Sequence, residues 1–142
     1  MSELESSGSE HLIPGLRRQY HFRPGSSGLR AWDVHKLIRL AQEQNLPLLE
    51  VPLSEIRELD EPYWFEHEGT PPTPRAIVEH IKLMDGCQLD WPIILSSDGR
   101  LMDGMHRVAQ ALREGRTHIQ AVRFLEDPAP HYVGVAPEHL PY

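Results

Sequence analysis

The chain has 142 residues, 39% hydrophobic and 25% charged, the size and balance of a folded domain rather than of a disordered chain. A net charge of −7 argues against a general coat for nucleic acid, whose phosphates demand a basic surface. No apolar run approaches the roughly 20 residues of a membrane-spanning helix, and a single cysteine, Cys87, excludes an internal disulfide and a Cys–Cys zinc pair.

The acidic opening MSELESSGSE is unlike a secretory signal, so a cytoplasmic setting is expected. Charge is uneven along the chain. Residues 74–124 carry seven basic and six acidic side chains, against net −5 before and −3 after, so an anion site is expected in the middle segment.

Residues 1–28 are rich in Ser, Gly and Glu, include Arg23-Pro24-Gly25-Ser26-Ser27-Gly28, and lack an apolar period. They read as a flexible arm preceding a domain over 29–124. Val34, Leu37, Ile38 and Ala41 follow helical spacing, predicting a helix near 30–44 that ends before Pro47. Leu48–Leu53 reads as a strand, placed at a sheet edge by Pro52, and Ser54–Arg57 as a helical turn. Residues 58–73, with acids, prolines and Tyr63-Trp64-Phe65, read as an ordered loop.

Thr73 as N-cap and Pro74 as first helical residue predict a helix over 74–84 with Ile77, Ile81 and Met84 inward and Gly86 at its end. Pro92–Ser96 and Arg100–Met102 flank Asp98-Gly99, a hairpin signal in which both turn residues are expected at positive φ. Met105, Val108, Ala111 and Leu112 form the next helical stripe over 104–114, closed by Gly115. His118–Phe124 reads as a strand and 125–142, with four prolines, as an extended tail that wraps or frays. The expected fold is α+β, a small mixed sheet with packed helices.

The segment richest in chemistry is Asp103-Gly104-Met105-His106-Arg107-Val108-Ala109, where a strand passes through glycine into a helix. Such a start offers unpaired N–H groups and partial positive charge, and a residue without Cβ lets a phosphate come close. His106 and Arg107 in the first turn can add charge-assisted hydrogen bonds. The same residues also suit a plain helix start with Asp103 as its cap. Arg100 and Arg123 can supplement the positive charge if they face Arg107. The other histidines, His80 among them, are scattered without ligand spacing, so no metal site is expected. Tyr63-Trp64-Phe65 can stack on a base or plug a core edge.

From about Glu50 to Phe124 the chain resembles the ParB/sulfiredoxin superfamily. The pieces that carry the likeness are Glu50-Val51-Pro52-Leu53, the helix containing Val78–Met84, Pro92-Ile93-Ile94-Leu95, Asp98-Gly99-Arg100, Gly104–Ala109 and Thr117–Phe124. The resemblance implies nucleotide phosphates at the glycine-led helix start, formed by Gly104, Met105, His106 and Arg107 with Arg100 nearby. Met105 stands where sulfiredoxins carry the nucleophilic cysteine, and a thioether forms no thiolate, so that activity is not expected. Cys87 is expected as a small buried apolar residue.

Asp103–Arg107 is also similar to the Asp-Gly-x-His-Arg segment of ParB-like free serine kinases. That likeness implies a carboxylate base, Asp60 or Glu61, with Asp103 orienting a ribose, a substrate hydroxyl or metal-bound water. The implied ligand is ATP, ADP or CTP, with Mg²⁺ if a triphosphate is used, in an NTPase or small-molecule phosphotransferase. The alternatives are a non-catalytic protein-interaction module and a partition factor without its own helix-turn-helix. Sequence-specific DNA binding by this chain alone is not expected, no membrane partner is, and a protein partner or homodimer stays open.

Overall fold

The computed structural model describes Ile13, residues 16–66 and residues 69–142. In chain order its elements are β1 (Tyr20–Arg23), β2 (Arg30–Asp33), α1 (Val34–Glu43), β3 (Leu49–Pro52), α2 (Pro74–Asp85), β4 (Ile93–Leu95), β5 (Leu101–Asp103), α3 (Met105–Arg113), β6 (His118–Arg123) and β7 (Tyr132–Val133). Short 3-10 turns occupy Leu53–Glu55, Arg57–Asp60, Tyr63–Phe65 and Pro137–His139. The α+β class is as expected. Contacts divide the chain into two units, one of residues up to Leu46 joined by Asp127–Tyr142, the other Pro47–Glu126.

In the first unit β2 pairs antiparallel with β1 on one side and β7 on the other. This corrects two expectations. The arm contains a strand, so the boundary expected after residue 28 falls inside the β1–β2 hairpin. Residues 30–33 are strand rather than helix, because pairing with β1 throughout and with β7 at Arg30 and Ala31 satisfies their backbone groups. The tail returns to pair Tyr132 with Ala31 and buries Leu140. The helix proper starts after Asp33, whose Oδ1 accepts the His35 N–H at 2.9 Å, an N-cap. Val34, Leu37 and Ala41 are buried, as their spacing requires.

The second unit holds a mixed sheet in the order β3-β6-β4-β5, with β4 and β6 parallel and the other pairs antiparallel. Its core joins Ile93, Leu95, Leu101, Val108, Ala111 and Ala121, so one face of α3 seals the sheet. The hairpin turn differs from expectation. Gly99 alone of the Asp-Gly pair has positive φ, +84°, and its N–H reaches Ser96 O at 2.9 Å. The loop therefore has three residues with glycine in the left-handed position, the next commonest hairpin design.

Thr73 caps α2 by accepting the Ala76 N–H at 3.1 Å, and Pro74 and Gly86 bound the helix as expected. Its inward face does not match expectation. Ile77 and Ile81 are 44% and 41% exposed and no residue of α2 is buried, because the helix packs beside α3 rather than over the sheet. Among the described residues no helix is long and apolar enough to cross a membrane.

Candidate functional site

The end of β5 enters α3 through Gly104, which has φ +115° and forms the N-cap with no side-chain hydrogen bond to the helix amides. Two local facts demand glycine here. Left-handed backbone is strained for L-residues, and a Cβ would stand 2.6 Å from Ile93 Cγ2 and 2.8 Å from Arg107 Nη2. Among the described residues no side chain caps the amides on which the helix opens, at the positive end of its dipole.

Arg107 turns back over this start. Its Nη2 donates to Asp103 Oδ2 at 2.7 Å and its Nη1 to Trp91 O at 3.3 Å. Both partners of the ion pair are about nine-tenths buried. Asp103 is thus the last strand residue and a counter-charge to Arg107, rather than the helix cap. Met105 contributes its backbone to the helix start, but its side chain belongs to the core.

The His106 ring faces α2. Its Nε2 lies 2.8 Å from His80 Nδ1, and the two rings stack on Trp64 with centroids 4.7 and 4.1 Å away. Phe65 meets His80 edge-on at 5.6 Å. Trp64, Phe65 and His80 also line an open cleft of about 390 Å³ with Thr70, Pro71 and Ala76. The aromatic triplet and the helix start, 40 residues apart in the chain, are in this way linked through one histidine pair. Cys87 is half-buried and points its thiol toward His106 O at 3.8 Å. Burial pushes that thiol pKa up, which disfavours thiolate chemistry.

Arg100, Glu61 and Asp60 do not join this start. Arg100 makes a two-pronged contact with Glu61, 3.2 and 3.0 Å, and its Nε lies 3.1 Å from Glu58 Oε2. Glu58 is 3% exposed and also accepts the Leu101 N–H at 2.8 Å. The Glu61 hydrogen bond, with the charges of Glu58 and Glu61 working against burial, raises the Arg100 pKa. Glu61 is accordingly a structural counter-ion, and Asp60 is exposed at the end of its turn. Arg123 donates to Ser97 O at 3.1 and 2.6 Å.

Sequence reasoning missed Glu58 and His80. Glu58 was hidden among neighbouring acids, though a glutamate followed by the apolar Leu59 before the hairpin arginine was the available signal. His80 gave none, since its partner lies 26 residues away. Among the described residues no cluster of three or more His, Cys, Asp or Glu side chains could hold a metal ion. Comparison with family models, curated proteins and solved structures finds no match for the chain.

Proposed function

We propose that the start of α3 binds the phosphates of a nucleotide, in keeping with the ParB-like character of residues 103–109. The observation that carries this reading is the left-handed Gly104, where a folded-back guanidinium lies over helix amides that no described side chain caps. An oxyanion there accepts the helix N–H groups and shares Arg107 with Asp103. The aromatic cleft at Trp64 touches the same helical turn through His106 and offers a face for a base.

The residues fit binding better than turnover. Of the two bases suggested by resemblance, Glu61 is neutralised by Arg100 and Asp60 is exposed at the end of its turn, while Asp103 is neutralised by Arg107. Asp103 is the carboxylate positioned to meet a Mg²⁺ ion brought by a triphosphate, which would offset charge on the phosphates. The reading is therefore a nucleotide-binding protein first, and an NTPase or phosphotransferase only if Asp103 proves able to exchange partners.

The test is a thermal-shift panel of ATP, ADP and CTP with and without Mg²⁺. A ligand at 100 times its Kd stabilises by about 2.7 kcal/mol, so at least one nucleotide should raise Tm, and Arg107→Ala should abolish the rise. An unchanged Tm at millimolar nucleotide rejects the reading. In that event the exposed apolar side chains of α2, Ile77, Val78 and Ile81, favour a protein-interaction module, measured as self-association or partner capture lost in Ile81→Lys.

A further inference from the structure

A second cationic feature lies on the β1–β2 hairpin, independent of α3. Arg23 and Arg30 are direct cross-strand partners, and His21 faces Trp32 in the same register. Residues two apart share a face of a strand, so these four side chains line one side of the ribbon. Like charges placed opposite one another destabilise a strand pair. The chain carries 21 acidic residues, yet among the described residues no carboxylate forms an ion pair with either guanidinium.

The two arginines are held in place. Their guanidinium carbons sit 5.8 and 5.4 Å from the Trp32 ring centre, within cation–π range. Trp32 itself is 2% exposed and donates its indole N–H to Pro128 O at 2.8 Å. Arg23 Nε donates to His21 Nε2 at 2.9 Å, and Arg30 Nη2 to Pro24 O at 3.1 Å. Arg23 Nη2 and Arg30 Nε are buried without a hydrogen-bond partner. Two guanidiniums are thus fixed on one indole; those two nitrogens are closed to solvent, which leaves the other N–H groups of each fork as the ones to meet a ligand.

The connecting turn sits over the same end. Gly28 N–H bonds Gly25 O at 3.1 Å, which presents Ser26 and Ser27, both exposed, at its tip. A Cβ on Gly25 would stand 3.0 Å from Cγ and Cδ of Arg30, so the arginine stem runs tightly against the turn. We propose that this hairpin end is a phosphoryl-binding clamp, in which Arg23 and Arg30 share a phosphate dianion and the serine turn closes over it. Two fixed guanidiniums match a double negative charge and planar two-pronged contact better than they match a single carboxylate. The phosphoryl group can belong to a small phosphate or to a phosphorylated protein side chain, which present the same chemistry.

The experiment titrates the full-length ¹⁵N-labelled chain with inorganic phosphate and, separately, with a phosphoserine peptide, following the Arg Nε–H and Trp32 indole resonances. Saturable shifts of Arg23, Arg30 and Trp32 are expected with at least one probe. Affinity should fall about tenfold or more, the loss of one charge-assisted contact, in R23A and in R30A. R23K and R30K keep charge and ribbon but lose the fork, and should fall between. The Arg107 Nε–H and the amide resonances of α3 report the other site separately, so saturation of the Arg23, Arg30 and Trp32 shifts is read independently of it. Tighter peptide binding assigns the source to phosphorylated protein, and equal binding to free phosphate. Absence of saturable shifts up to 10 mM with both probes, or parental affinity in both R23A and R30A, overturns the proposal.

Discussion

Two arginines flank β5, and they live differently. Arg100, before the strand, is closed on both sides by Glu61 and the buried Glu58, and Glu58 also holds the strand's first N–H. Among the described residues Arg107, one helical turn past the strand, has one carboxylate partner and a carbonyl, and lies over helix amides that none of their side chains caps. The first arrangement fastens the turn at 57–60 to the hairpin. The second leaves positive potential unspent. The difference teaches that a guanidinium's neighbours, more than its distance from a motif, decide whether it braces the fold or receives a ligand.

The largest expected effect comes from the closed side. Glu58→Ala strips the buried acceptor from both Arg100 and Leu101, and should lower unfolding free energy by about 3 kcal/mol, as breaking a buried pair does, read as a shift of the urea midpoint without change in slope. A loss as small as that of an exposed pair would erase the distinction between the two arginines.

On the open side, Asp103→Asn keeps an acceptor for Arg107 while removing the negative charge. It should cost about 1 kcal/mol and, without Mg²⁺, tighten ADP binding several-fold, since Arg107 is released to the phosphate. Weaker binding in the absence of metal would mean that Asp103 positions the ligand instead of competing with it.

The smallest effect sets the baseline. Glu114 and Arg116 form an exposed pair at 3.1 Å, and the Gln110 amide, then Arg116, hold the Glu114 carboxyl below its ordinary pKa of 4.5. A lowered carboxyl adds stability that is complete above its unfolded-state pKa and vanishes as pH falls through the lower folded-state value. Glu114→Gln should therefore lower Tm slightly at neutral pH, with the loss fading as pH falls below about 4.5, so that the acid limb of a Tm-against-pH curve is slightly flatter.

What the sequence made legible was local. Pro52 at an edge, Thr73-Pro74 at a helix start and Gly104 and Gly115 around α3 each act within a few residues, and those elements stand where they were expected. The hairpin arm did not read because β1 has four residues and β2 depends on β7 about 100 positions later; no window along the chain contains that pairing. The inward reading of Ile77 and Ile81 failed since periodicity identifies an apolar stripe but not whether another element covers it. In the site, the backbone chemistry at Gly104 was readable, whereas the commitments of Glu61, Arg100 and His106 rest on partners brought together by the sheet and by α2.

The outer strands of the four-stranded sheet have a consequence for self-association of the misfolding kind. On one border β3 ends in Pro52, which has no N–H to offer, and carries Glu50; on the other, β5 is three residues long. Neither border is a good template for adding a foreign strand, so fibril growth from the native sheet edge should be slow even at high protein concentration.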